Sequence, residues 1–333
     1  MQRSAAYLKF PFFRGRRIRK KTWIRNLVSE TQISVNDLVQ PIFIRDEKVK
    51  DKTISSMPHL TRFSLKNISK EVEELCKLGI NAVALFPVID KSQRSLEAKE
   101  ALNSDNIICK CLRILRKEFP DLGIICDIAL DPYTISGHDG ILNKDGEVDN
   151  DKTIKILSQM SINLVKSGCE IIAPSDMMDG RIKHIRKKLE DQKYTDTIII
   201  SYAAKFSSQF YGPFRDIIGN NEKNINKDSY QLNSKNRKEA LKDALADISE
   251  GADILMIKPA GYYLDIVRDL KELSFLPIAA YQVSSEYCMI KLGAKDNIFN
   301  YRETVLESLS CIKRAGADII FSYFSKEVAK WLS

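Results

Sequence analysis

Apolar runs of six to eight residues recur along the chain, at 38–44 (LVQPIFI), 82–89 (AVALFPVI), 123–130 (GIICDIAL), 170–175 (EIIAPS), 197–204 (TIIISYAA), 252–258 (ADILMIK), 277–284 (PIAAYQVS) and 317–324 (ADIIFSYF). Continuous runs of this length read as strands buried on both faces, as in parallel sheets. The same junction precedes four of them, in CKLGINAVALFPVI, VKSGCEIIAPS, SEGADILMIKP and KRAGADIIFSYF. There Gly79, Gly168, Gly251 and Gly316 fit the left-handed residue that closes a helix. Helical spacing lies upstream, in Ile154, Leu157, Leu164 and Val165 and again in Val305, Leu309 and Ile312. Eight such alternations predict an α/β chain folded as a closed (β/α)8 TIM barrel, in preference to a doubly wound sheet. No GxGxxG follows a strand and no GxxxxGK[ST] occurs, which counts against nucleotide binding.

Barrel active sites lie at the C-terminal ends of the strands. Asp127, Asp131, Ser175, Asp176, Lys205, Lys258, Gln282, Ser284, Ser322 and Tyr323 close the runs and are expected to converge on one mouth. ILMIK is the informative case, because an ammonium group at the end of a buried strand is costly to desolvate. Lys205 and Lys258 end adjacent strands with aromatics alongside, so each is expected to depress the other's pKa. A neutral lysine attacks ketones to give Schiff bases. One lysine alone would read as a salt bridge at the rim, whereas two on neighbouring strands favour Schiff-base chemistry. Residues 206–237, rich in Ser, Asn, Lys and Gly, read as an active-site lid, with a plain surface loop as the alternative.

Composition adds an arm. The 333 residues carry a net charge of +8, and nine bases with no acid lie in the first 25, which leaves residues 26–333 close to neutral. RGRRIRKK suits a nucleic-acid-binding tail, but no zinc finger, RNA-binding motif or basic stripe follows. An arm over residues 1–36, packed on a neighbouring subunit or acidic surface, is the favoured reading, with the barrel over 37–333. AAYLKFPFF is interrupted by Lys9 and is followed by charge, unlike a secretory signal. No run approaches the roughly 18 apolar residues of a membrane span. Seven cysteines, odd in number and without a CxxC pair, read as reduced thiols in a cytoplasmic protein. His59 and His184 read as surface residues, and His138 as a supporting group in the aspartate loop.

GADILMIKPAGYYLDIV and SYAAKFSSQFYGPFRD resemble the porphobilinogen synthase (5-aminolevulinate dehydratase) family. The likeness continues through RRIRK, SMPHLTRFS, ALFPVID, DIALDPYTISGHDG, APSDMMDGRI, SYQLNSKNR, LPIAAYQVSSEYCMIK and ESLSCIKRAGADIIFSYF, nearly the whole chain. It implies a barrel whose N-terminal arm embraces a neighbouring subunit, usually in a homo-octamer. The implied reaction condenses two 5-aminolevulinate molecules to porphobilinogen with loss of two waters. By the same resemblance Lys258 holds the first substrate, whose propionate becomes that of the product, and Lys205 holds the second. Ser284 and Tyr323 match the pair binding the first carboxylate. Arg215 and Lys227 match the cations binding the second, with Gln231 a candidate beside them. Hydroxyls donate without adding cation near Lys258, while a guanidinium suits a carboxylate in charge and geometry.

The metal loop departs from the zinc-using members, which carry three cysteines where this chain has Ala129, Asp131 and Asp139. No catalytic zinc is expected, since hard carboxylates suit Mg²⁺. Whether Asp131 and Asp139 ligate metal or position water and substrate amine stays open. Ser136 stands where the family often has histidine, and Asp243 where many bacterial members have the glutamate of a regulatory magnesium between subunits. A solvated helix-face carboxylate is the alternative for Asp243. Three other functions compete. A class I aldolase would normally have one essential lysine and phosphate-binding loops, an inactive homologue would be expected to lose one of the five site residues present, and a nucleic-acid binder would show strong salt dependence.

Overall fold

The computed structural model describes residues 9–50, 53–54, 56–57, 60–218 and 225–333, the side chain of Asp216 excepted. His59, the first eight residues of the arm and residues 219–224 of the lid segment lie outside the described residues. The first of two compact units ends at Gln32 and holds a 3-10 turn, Gly15–Ile18, and helix α1, Thr22–Leu27, neither of which buries a residue. The second is Ile33–Ser333.

All eight expected runs are strands of that second unit: β1 Leu38–Arg45, β3 Ala82–Val88, β4 Gly123–Ile128, β5 Ile171–Pro174, β6 Ile198–Lys205, β7 Ile254–Lys258, β8 Ile278–Tyr281 and β9 Ile319–Phe321. Each pairs in parallel with the next, and β1 also pairs with β9 through Leu38↔Ile320 and Val39↔Phe321, which closes the barrel. The strands are buried almost throughout because inward side chains fill the barrel and outward ones meet helices. Helices α2 Ile68–Lys77, α3 Ile107–Glu118, α4 Asn150–Lys166, α5 Arg181–Asp191, α6 Gly212–Ile217, α7 Arg237–Ser249, α8 Leu264–Leu273, α9 Ser284–Lys295, α10 Tyr301–Ala315 and α11 Ser325–Leu332 alternate with them. Asn106, Asp149 and Asn300 cap α3, α4 and α10 by accepting from backbone amides. Gly79, Gly168, Gly251 and Gly316 all have positive φ, so these helix ends reverse where a side chain would strain the backbone.

A ninth strand, β2 Arg62–Phe63, is absent from the sequence reading. It pairs with Phe43 and Ile44 at the top of β1, on the edge that β9 leaves uncovered. Two residues are too few to show any alternation. Among the described residues no helix is long and apolar enough to cross a membrane. All seven cysteines are free thiols, five of them buried.

Candidate active site

Strands β6 and β7 both end on lysine, and Lys205 and Lys258 pair across the sheet. The register shifts between Ser201 and Ala204, where β6 carries one extra residue. Such a bulge re-aims the residues beyond it, and here it brings the two lysines level on one face. Both are more than nine-tenths buried.

They are not equivalent. Lys258 Nζ lies among the rings of Tyr281, Phe214, Tyr202 and Tyr211, at 4.2, 5.1, 5.3 and 5.6 Å from their centroids. Burial in this cage lowers its pKa to about 7, and the charge of Lys205 pushes the same way against Asp127, Asp131 and Asp139. Lys205 instead donates to Asp139 Oδ2 at 3.1 Å and to the carbonyl of Ser175. The expectation of two like lysines in apolar settings is therefore corrected: one has a carboxylate partner and the other has aromatic faces. Asp139 lies on the long loop after β4, whose path the sequence pattern does not reveal.

Asp139 is the hub. Its Oδ1 accepts from Lys227 at 2.6 Å, and Oδ2 accepts from Gln231 at 3.3 Å as well as from Lys205. Burial alone would raise its pKa, but the two ammonium groups outweigh it and hold the carboxyl well below the usual range. Against the same penalty, Asp139 and Asp131 keep the Lys227 ammonium above its ordinary pKa. Lys227 is 3.8 Å from Asp131, whose own pKa burial raises in spite of that ammonium. Burial, then the charge of Asp131, lifts Asp127 to about 7, and its buried Oδ1 has no hydrogen-bond partner among the described residues. The Tyr230 hydroxyl lies 3.1 Å from His138 Nδ1 and accepts from the Asp139 amide at 3.3 Å. Lys227, Tyr230 and Gln231 all belong to the 206–237 segment and gather on the buried Asp139. Half-buried Arg215, on α6, lines the same cavity with Asp127, Asp131, Lys227, Gln231 and the two lysines.

Other expected residues stand elsewhere. Ser284 accepts from the Phe214 amide at 3.1 Å and donates to the Phe210 carbonyl at 3.3 Å, and Tyr323 shares a 3.3 Å contact with the Tyr281 hydroxyl. Both meet the cage through Phe214 and Tyr281 and are not among the residues lining the cavity. Gln282 and Ser322 bond each other at 2.7 Å, and Gln282 donates to Ser308 of α10 at 3.0 Å, so they join strand ends to a helix. Asp176 turns to the Met178 amide and towards Arg181. The expected convergence of every strand-end polar group is thus corrected. Their side chains alternate between the barrel mouth and the layer outside it.

Three features escaped the sequence reading. Tyr202, Tyr211, Phe214 and Tyr281 form the cage, although the aromatics of SYAAKFSSQFYGPFRD hinted at it. Buried Glu286 accepts from the Gly261 amide and the Val283 amide at 2.7 Å each. It ties the loop after Lys258 to the turn before Ser284, and a Cβ on Gly261 would meet its Oε1 at 2.3 Å. A glutamate in the first turn of α9, three residues after Val283, was the available signal. Buried Arg181 pairs with buried Asp247, and a contact 66 residues apart leaves no local trace.

At the metal-loop positions Ala129 is buried, while Asp131 and Asp139 face ammonium groups that stand where a cation would. Half-buried Asp243 lies on α7 one turn before Asp247. Burial, then the charges of Asp247 and Glu239, raises its carboxyl. Among the described residues no three metal-ligating side chains cluster, so a site here would take most of its ligands from water.

The family model described as delta-aminolevulinic acid dehydratase matches residues 12–331. The chain is 45% identical to the delta-aminolevulinic acid dehydratase of Bradyrhizobium diazoefficiens, over 96% of this chain and 90% of that one. It is equally similar to the Helicobacter pylori enzyme of the same name, over 96% and 99%. A solved structure of delta-aminolevulinic acid dehydratase (porphobilinogen synthase) from Toxoplasma gondii, in complex with the reaction product porphobilinogen, superposes with a TM-score of 0.93. It is 41% identical and covers 96% of this chain and 91% of that one.

Proposed function

This chain belongs to the delta-aminolevulinic acid dehydratase family and condenses two molecules of 5-aminolevulinate to porphobilinogen, an early step of tetrapyrrole biosynthesis; we propose that it does so through Schiff bases on Lys258 and Lys205. The carrying observation is the level pair of buried lysines, one caged by aromatic rings and one held by Asp139. With a pKa of about 7, Lys258 is roughly half free amine at neutral pH and attacks the ketone of the first substrate. Imine formation expels one water, and Asp127, whose carboxyl retains a proton near the same pH, supplies the proton to the departing hydroxyl. Lys205 forms the second imine and expels the second water. Carbon–carbon bond formation and attack of one substrate's amine on the other's imine carbon then release both lysines. Arg215 and Lys227 clamp the second carboxylate, so Lys227 exchanges Asp139 for substrate. Ser284 and Tyr323 take the first carboxylate once substrate enters the cage.

Borohydride with levulinate, a ketone analogue of the substrate, should trap an adduct on Lys258. Because only the neutral amine attacks, trapping should rise as pH passes through about 7. Removing the neighbouring cation in Lys205→Met should raise the Lys258 pKa and move that limb to higher pH. A trapping curve that stays put would deny the lysine–lysine coupling.

The assembly is proposed to be a homo-octamer in which the arm lies on a neighbouring copy. Phe10, Phe12 and Leu27 are 74%, 83% and 73% exposed, and such side chains gain about 25 cal/mol per Å² when covered. Deleting residues 1–25 should shrink the particle in light scattering and lower turnover, with the barrel still folded. An unchanged particle would return the arm to the nucleic-acid or free-tail readings.

For the metal, the reading is a magnesium-type member in which water-bridged Mg²⁺ sits against Asp243 in the oligomer and no thiolate zinc site exists. Activity should survive a zinc-selective chelator, and added Mg²⁺ should stimulate the parent but not Asp243→Ala. Loss of activity to phenanthroline with rescue by Zn²⁺ alone would overturn the subtype. Free cysteines throughout support placement in the reducing cytoplasm.

A further inference from the structure

We propose that Arg62 and Arg94 form a two-pronged anchor for the C-terminal end of helix α6 and act as positioning residues for Arg215; this rests on the reading of the cavity as a condensing site. Helix α6 carries Phe214 over Lys258 and Arg215 into the cavity, and it ends at Ile217. The last carbonyls of a helix have no partner within it, and cations are favoured at that end. Here two consecutive carbonyls are each met by a guanidinium from a different part of the barrel. Arg62 Nε donates to Ile217 O at 2.9 Å, and Arg94 NH2 donates to Ile218 O at 2.7 Å.

Arg62 sits on β2, the two-residue strand that barrel closure does not require. Arg94 follows the 3-10 turn Lys91–Gln93 after β3, and its buried Nε has no hydrogen-bond partner among the described residues. Desolvating a guanidinium while leaving one donor unmatched is costly, so the bond to Ile218 is a specific one. The other side of α6 is fixed by apolar contact, with Phe214 at 6.0 Å from Phe43 of β1 and 5.8 Å from Phe86 of β3. Greasy contact sets the depth of the helix but leaves it able to roll, whereas two directed bonds two and three residues beyond Arg215 fix its rotation. The guanidinium of Arg215 is thereby aimed at the second substrate carboxylate.

The test uses full-length Arg94→Ala, Arg94→Lys and Arg62→Ala, with steady-state kinetics on 5-aminolevulinate and hydrogen exchange of residues 206–218 with and without levulinate. Losing one charge-assisted bond should raise KM about tenfold or more with a smaller change in kcat, and lysine should restore part of it. Levulinate should protect this segment in the parent and much less in Arg94→Ala, while borohydride trapping at Lys258 stays intact. If Arg62→Ala fails to fold, the two Arg94 variants decide alone. Unchanged KM, or a lower kcat with parent-like protection, would overturn the anchor and leave the arginines as ordinary structural residues. Absence of any levulinate adduct in the parent would instead overturn the Schiff-base reading, and the anchor with it.

Discussion

Replacing Lys258 with methionine is expected to reduce turnover by a factor on the order of 10⁴ to 10⁶, the scale seen when a covalent nucleophile is removed. The cage of Tyr281, Phe214, Tyr202 and Tyr211 still frames the first substrate's site, but no amine remains there to form the first imine. Methionine matches the lysine stem in length and polarity, and the substitution removes a cation that burial disfavours. The variant should therefore unfold at a temperature no lower than the parent's, which separates lost chemistry from lost structure. Porphobilinogen formation and calorimetry on the same sample would decide it. Appreciable turnover by a well-folded Lys258→Met protein would end the proposed mechanism.

Asp247→Ala should cause the largest loss of stability among single changes near the site. Arg181 donates to both Asp247 oxygens, at 3.2 and 3.0 Å, and also reaches Ser201, the Tyr202 carbonyl and the Met178 carbonyl. Removing Asp247 leaves a fully desolvated guanidinium whose other acceptors are neutral, apart from Asp176 at 3.8 Å. Breaking a buried pair from one side costs about 3–5 kcal/mol. A barrel of this size should then melt roughly 5–10 °C lower. The double variant Arg181→Met, Asp247→Leu should recover most of that, because paired removal leaves no uncompensated charge. A single variant that melts within about 1 °C of the parent would mean that Asp176 or water satisfies Arg181 unaided.

The barrel was legible because its strands are apolar on both sides and its helices close on glycine, signals that lie in adjacent residues. Lys205 and Lys258 were legible for the same reason, each being the charge that ends an apolar run. The two-residue strand β2 was not, since its existence depends on a free edge of β1 and not on its own composition. Local pattern also made the lysines look alike, and tertiary structure set them apart. Asp139 arrives on a loop after β4 and Lys227 and Gln231 on a segment after β6, and together they give Lys205 a charged partner while Lys258 keeps only rings. Ser284 opens α9 three residues past β8 and Tyr323 lies two residues past β9, and their hydroxyls bond Phe210, Phe214 and Tyr281. The sequence by itself determined which residues close the strands, because strand ends follow from short-range periodicity. Which of them are charged, caged or engaged was decided only by the fold, because electrostatics and burial act through space between residues that the chain keeps far apart.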